Sequence, residues 1–445
     1  MSSLIILIGA GLLVPLFFKG HMVIAKYLAA AAFGAAAINV YMGNGIEMQY
    51  FTLTPDIQLL EIVVLVVLAA TMMTFSGFER PLISQTLFLG AASLAILETN
   101  NFLMFIVLFE VIAIISYVLA ANIRSKLNAE GAIKMFIAGA TASGFILLGF
   151  AMFAMVSPSF NYAELSVNGN FTLVAVGIML AGIFYKMTVV PMHGWAGDAY
   201  AQVNHSAAAI LSAVVKTVVV VAVFKAFYLF LQAYLSTSVL IFSFFAIITM
   251  TLGNFMALFQ QKIAKILSFS SITHAGYMLI PFAAVASGYS YTALIYLGVA
   301  YIFMQTSVFL ILSDLRREAH IKTLEDLKGL YSKSPLHAIF FTIQLLSLAG
   351  VPIMAGFISK AVTFWAGVDA GLWPLVLIAA LNSALSVGYY IWIIKHIYFD
   401  EPVDYTQAKI TITPGSLIGQ LILLAGTIYF GIFAYPVFNA TLVGM

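Results

Sequence analysis

Apolar runs long enough to cross a membrane recur along the whole chain, separated by short stretches of polar, charged or turn-forming residues. A helix needs about 20 apolar residues to cross roughly 30 Å of hydrocarbon, and by that measure the pattern predicts fourteen spans. They lie at about 3 to 18, 21 to 42, 57 to 77, 82 to 98, 100 to 121, 131 to 156, 170 to 200, 205 to 234, 237 to 260, 263 to 285, 289 to 313, 335 to 365, 370 to 398 and 411 to 440. The first starts without a basic leader or a small-residue cleavage site, and is expected to be an uncleaved span. The fold class expected is therefore an all-α polytopic membrane protein. The largest connection, Asp314 to Ser334, is expected to be a charged cytoplasmic segment with a short surface helix. No connection can hold a second, soluble domain.

The charges test this pattern, because cytoplasmic loops collect Lys and Arg. Lys19, Lys26, Arg80, Arg124, Lys126, Lys262, Arg316, Arg317, Lys322, Lys328, Lys333 and Lys409 all fall in or beside loops that follow odd-numbered runs. Loops after even-numbered runs hold Glu47, Asp56, Glu98, Glu164 and Asp369, and no Lys or Arg. A miscounted helix would scramble that parity, so the pattern predicts both termini outside. Composition agrees: 63% of the 445 residues are hydrophobic and 8% charged, against roughly a quarter charged in soluble proteins. The absence of cysteine excludes disulfides, iron–sulfur clusters and Cys-ligated zinc. The seven His have no metal-ligand spacing. A net charge of +2 without a basic cluster argues against nucleic acid as a partner. Nucleotide, flavin or metal chemistry is expected on other subunits.

A few ionisable residues remain deep in the runs, where each costs about 2.5 to 3.5 kcal/mol by insertion scales. Glu110 lies mid-way along the fifth, Lys186 in the seventh, Lys216 near the centre of the eighth and Lys360 in the twelfth. One acid and three amines on four helices read as a relay of titratable groups; a Glu110–Lys186 pair that only locks helices together is the alternative. Lys225, about 13 Å further along and on the opposite face from Lys216, is expected to snorkel. Glu61, Lys134 and Lys395 are expected at the interfaces. His274, beside Ser270, Ser271 and Thr273, suits either proton transfer between its two nitrogens or a satisfied core position. His193 and His205 lie near the cytoplasmic end of the seventh run, as proton relays or as helix caps.

Two runs are interrupted beside these lysines, by Pro191 in KMTVVPMHGWAGDAY and by Gly350 to Gly356 in GVPIMAG. Both free backbone groups that protein or water must satisfy. The breaks are five runs apart, an odd number, so residues 82–234 and 235–398 are expected to form two inverted five-helix repeats. Residues 1–81 precede them as three helices, and 399–445 add the last.

Several segments in order, LFEVIAIISYVLAA, GAIKMFIAGATASGFILLG, FYKMTVVPMHGWAGDAY, AAAILSAVVKTVVVVAVFK, GNFMALFQQKIAKILSFSSITHAGYML and SLAGVPIMAGFISKAVTFW, resemble the antiporter-like membrane subunits of respiratory complex I. The His in SITHAGY and the Lys of GFISK make the N type, that of NADH dehydrogenase subunit 2, the nearest. The resemblance implies proton pumping driven by quinone reduction elsewhere in the complex, with the proton path on Glu110, Lys186, Lys216 and Lys360. It implies NADH, FMN, iron–sulfur clusters and quinone in partner subunits and none in this chain. It also implies M-type and K-type neighbours and a bacterial inner membrane, with both termini periplasmic. A subunit of a multi-subunit Na⁺/H⁺ antiporter or of a membrane-bound hydrogenase would use the same residues. A solute permease fits less well, since no Arg lies within any run. A scaffold leaves the buried charges unexplained.

The topology can be tested by labelling, because the chain has no native cysteine. An Asp326→Cys variant should react with an impermeant thiol reagent from the cytoplasmic side only; reaction from the periplasmic side in sealed cells would overturn it.

Overall fold

The computed structural model of the chain describes residues 2–17, 21–43, 49–75, 80–121, 126–167, 169–402 and 410–443. Lys19, Glu47, Arg124 and Lys409 lie outside the described residues, as do the side chains of Arg80 and Lys126. The first six apolar runs fold as single helices: α1 (Ser2–Phe17), α2 (Met22–Tyr41), α3 (Pro55–Thr74), α4 (Arg80–Glu98), α5 (Phe102–Ala120) and α6 (Lys126–Ala154). The seventh is split into α7 (Asn170–Lys186) and α8 (Ala196–Gln202). The eighth is α9 (His205–Ala209), a π-helical stretch over Ile210–Val215, and α10 (Lys216–Ala233). There follow α11 (Leu235–Leu258), α12 (Ile263–Met278), α13 (Ile280–Ala283), α14 (Ser290–Ala319) and the short α15 (Leu330–Lys333). The twelfth run is broken into α16 (Pro335–Ala349) and α17 (Ala355–Asp369); α18 (Trp373–Tyr398), α19 (Pro414–Ile432) and α20 (Tyr435–Val443) complete the chain.

Among the described residues ten helices are long and apolar enough to cross a membrane, and four shorter apolar ones begin at Ser2, Leu82, Asn170 and Pro335. Local sequence sets their ends. Pro55, Pro335, Pro374 and Pro414 stand in the first turn of α3, α16, α18 and α19, where the missing N–H costs nothing. Asn101 caps α5 by accepting from the Met104 amide at 3.1 Å, and Asn204 caps α9 by accepting from Ser206 at 2.8 Å. The eleventh run extends further than its apolar residues suggest: α14 continues to Ala319, so Asp314 is helical and buried, not in a loop. It pairs with Arg317 at 2.8 Å and accepts from the Ser416 hydroxyl.

Helices α12 and α14 and the α9–α10 segment are almost wholly enclosed by the others, whereas only about a third of the residues of α6, α11 and α18 are buried. The hydrophobic effect does not bring helices together in lipid, so close backbone approach and polar contacts must. Glycines provide that approach in α6 against α7 and α11 against α12. A Cβ on Gly149 would stand 2.6 Å from the Ala175 carbonyl oxygen, and one on Gly276 2.6 Å from the Met250 amide nitrogen. Interior positions carry Ser, Thr, His, Gln and Lys, while Ile353, Trp365, Trp373 and Trp392 face outward.

Overpacking a tight contact costs roughly 1 to 3 kcal/mol. Gly149→Val should therefore lower the amount of protein accumulating in the membrane, while Gly144→Val, on the same helix with nothing within 4 Å, should not. Equal accumulation of the two variants would contradict this packing.

Candidate functional site

The middle of α5, capped at Asn101, places Glu110 against the end of α7 and the middle of α6. Lys186 Nζ donates to Glu110 Oε1 at 2.8 Å, and the Ser143 hydroxyl donates to Glu110 Oε2 at 2.6 Å. Lys186 also lies 3.1 Å from Ser143 Oγ and over the Phe109 ring at 4.6 Å. The Glu110 side chain remains 22% exposed and that of Lys186 11%, which puts the pair at the margin of the bundle, unlike the other two lysines. The buried Tyr117 hydroxyl lies beside this pair, within range of Ser143 and Glu110.

A cavity separates Lys186 from Lys216. Phe109, Tyr117, Tyr185, Trp195, Tyr200 and Val219 line it with the two lysines, and its volume of about 50 Å³ suffices for roughly three waters, since one needs about 10 to 15 Å³ on this measure. On its far side Lys216 is buried and its ammonium has three acceptors: Thr188 Oγ1 at 3.0 Å, Ser271 O at 2.9 Å and Ser271 Oγ at 2.6 Å. Ser271 is in the regular helix α12, whereas two other groups around the ammonium come from irregular backbone. Thr188 lies in the break after α7 with φ 64°, and the π-helical stretch before Lys216 leaves the Ser212 carbonyl to accept from Tyr301 Oη at 3.0 Å. With its one proton on that carbonyl, Tyr301 Oη accepts from the Ser271 hydroxyl at 2.8 Å. Ser and Thr hydroxyls rotate, so they accept from an ammonium and donate to a neutral amine. The cluster can hold Lys216 in either state.

His274 continues the line. Its ring stacks on Tyr301 at 5.1 Å and lies 5.8 Å from Tyr277. Nδ1 is 3.0 Å from the Ser270 carbonyl, which can only accept, so Nδ1 carries the proton and the buried, unpartnered Nε2 has a free lone pair. Both Lys216 and Lys360 lie within electrostatic range of this ring. Lys360 is buried and passes over Tyr277 at 5.4 Å. It donates to Leu348 O at 2.9 Å, Ala349 O at 3.1 Å and Ser383 Oγ at 3.0 Å. Gly350, with φ +95°, ends α16, and the ammonium takes up the carbonyls that this ending frees.

Glu110, Lys186, Lys216, His274 and Lys360 are thus aligned across five helices, while His193 and His205 are not joined to them. His205 Nε2 accepts from the Arg316 guanidinium at 3.0 Å, and His193 Nδ1 has no partner. Lys134 is ion-paired to Glu130 and Asp198, and Lys395 to Asp400, all partly exposed. Two expectations fail. Glu61 is not interfacial: it is fully buried and neither carboxylate oxygen has a hydrogen-bond partner. Lys225 does not simply snorkel, but donates at 2.9 Å to Leu97 O at the end of α4. Sequence reasoning also missed Ser143, Thr188, Tyr301 and Ser383, whose hydroxyls complete the site; nothing in their local sequence distinguishes them from other small or aromatic interior residues. Among the described residues no three His, Cys, Asp or Glu side chains group as metal ligands.

Comparison with known proteins places the chain in a family. The chain is 32% identical over 364 residues to NADH-quinone oxidoreductase subunit N 1 of Solibacter usitatus, covering 78% of this chain and 73% of the relative. It is 31% identical over 369 residues to F(420)H(2) dehydrogenase subunit N of Methanosarcina mazei, covering 79% and 74%. Its fold matches a chain of respiratory complex I from Thermus thermophilus with a TM-score of 0.84 at 23% identity over the full length of both. A family model described as NADH:quinone oxidoreductase/Mrp antiporter, TM, matches residues 99–386, the region that contains every residue of the aligned site, and the chain belongs to that family.

Proposed function

We propose that this chain is the proton-translocating membrane subunit of an NADH-quinone oxidoreductase, moving protons along Glu110, Lys186, Lys216, His274 and Lys360 while quinone is reduced in other subunits. The observation that carries the reading is the cavity between Lys186 and Lys216: two amines face water-sized space, one held by an acid and the other by rotatable hydroxyls.

The mechanism follows from Coulomb's law. At an effective dielectric near 20, an ion pair gains about 4 kcal/mol at 4 Å and half that at 8 Å. Drawing Glu110 away from Lys186 therefore weakens the lysine's hold on its proton by about 2 kcal/mol. The proton passes through cavity water to Lys216, whose hydroxyl partners reorient. The Nε2 lone pair of His274 carries it toward Lys360. His193 and His205 belong on the uptake side, near the cytoplasmic surface. Fourteen spans with both termini periplasmic, in a bacterial inner membrane, fit the charge asymmetry. The two backbone breaks, with a lysine at each, support inverted repeats over 82–234 and 235–398, flanked by 1–81 and 399–445. The partners are other membrane subunits, of M and K type, with NADH, FMN, iron–sulfur clusters and quinone held outside this chain.

Assembly in a cation antiporter, or with an F420H2-oxidising partner, is the second reading, favoured by the breadth of the family and by the Methanosarcina relative. Identifying the chains that co-purify separates these: NADH-oxidising and quinone-binding subunits support the first.

Glu110→Gln and Lys186→Ala should leave the complex assembled and impair pumping. Unchanged quinone reduction and pumping would remove the pair from the path, and loss of assembly would mark it as a helix lock, since breaking a buried pair costs roughly 3 to 5 kcal/mol. Lys216→Arg and Lys360→Arg should assemble yet couple poorly, because arginine stays protonated. Lys216 should be the more sensitive, since its hydroxyl partners serve both states while two of the three Lys360 acceptors are carbonyls. The measurement is the proton gradient per NADH oxidised in vesicles, and wild-type values in both variants would exclude these two lysines.

A further inference from the structure

The aligned site does not account for the buried Glu61. This residue is less than two turns into α3, fully enclosed, and both its carboxylate oxygens lack a donor. A carboxylate so placed bears the full desolvation penalty, and a protonated carboxyl would still need an acceptor. The protein around it satisfies neither state, so the site calls for water or for motion. Glu98 at the end of α4, the amino terminus and Lys225 on α10 all act on it electrostatically. Lys225 is in turn within range of Asp56, Glu61 and Glu98. Asp56, one turn before Glu61, accepts from the Tyr291 hydroxyl of α14. The buried Ser93 hydroxyl of α4 is also without a partner. The remaining helices packed on α3 bring no charge to this end: α19 and α20 contain none, and Lys26 of α2 bonds to the Met73 and Phe75 carbonyls at the opposite end of α3.

The location is informative. Tyr291 is at the start of α14, so the Asp56 end of α3 is the end opposite the charged 320–334 connection. The connection before α3 is tied to the end of α4 by the Thr52 amide, which donates to Glu98 O at 2.8 Å, and by the Phe51–Thr99 bridge. Lys225 and Lys216 are on the same helix, nine residues apart and thus on opposite faces. The cluster therefore lies behind α10 from the aligned site and is distinct from it.

We propose that Glu61 is a second proton-binding site, which takes up and releases a proton toward the face where α3 begins, with Lys225 and Glu98 setting its charge state. Its protonation stands on the geometry alone; that it changes during turnover rests on the pumping function proposed above. Infrared spectroscopy of the assembled complex in lipid vesicles, with glutamate labelled at the side-chain carboxyl carbon, reads the proton directly. A protonated-carboxyl band that exchanges with deuterium should be lost in Glu61→Gln. At fixed pH it should strengthen in Lys225→Gln, which removes a cation, and weaken in Glu98→Gln, which removes a like charge. It should change on addition of NADH and quinone. Identical spectra for wild type and Glu61→Gln would overturn the proposal, as would a band unmoved by both neighbouring variants, which serve also if Glu61→Gln fails to assemble. A band that responds to the variants but not to turnover would leave Glu61 a static acid and overturn its proton release. Because the band reports on Glu61 itself, this outcome is independent of whether Lys216→Arg blocks pumping.

Discussion

Hydrocarbon offers no hydrogen bonds, and this constraint shapes the molecule from its helices to its site. Every polar backbone group at depth must find a partner within the protein, so an unbroken helix is the default and each interruption needs an answer nearby. The interruption after Ala349 is answered by an ammonium: Lys360 takes the carbonyls of Leu348 and Ala349. The one after Lys186 contributes Thr188, whose hydroxyl accepts from Lys216, and the π-helical stretch contributes the Ser212 carbonyl to Tyr301. At the second break the two requirements answer each other, since the unwound backbone supplies two of the acceptors that the buried Lys360 ammonium needs.

The same constraint explains which parts of the structure were legible in the sequence. Apolar length reports directly on lipid, and the helices follow those runs closely. Buried ionisable residues are so costly in lipid that Glu110, Lys186, Lys216 and Lys360 stood out against their surroundings, and proline and glycine marked the two interruptions beside them. Hydroxyl residues carry no such penalty and are common in packed membrane helices, so Ser143, Thr188, Ser271 and Ser383 acquire meaning only through contacts made 23 to 55 residues away in sequence. Glu61 was misread for a related reason. Distance from a helix end measures depth along the axis, but not whether neighbouring helices cover that depth, and here α4, α14 and α19 close over α3.

In the proposed pathway, charge balance along the aligned site favours stepwise movement of protons. It contains three amines and one carboxylate, and only Lys186 has that carboxylate as a direct partner. With both Lys216 and Lys360 protonated and His274 neutral, the line would hold two cations with dipolar partners alone, each opposed by the low dielectric and by the other. A proton arriving at Lys216 therefore makes one on Lys360 or His274 harder to keep, and a proton leaving makes the next easier to accept. Since Glu110 is the sole acid in direct contact, and belongs to the more exposed end of the line, a displacement there alters the first term of this series and every later one in turn. In that proposal the direction of transfer depends on where the acid is placed, while the identical amines that follow need only be close enough to feel one another.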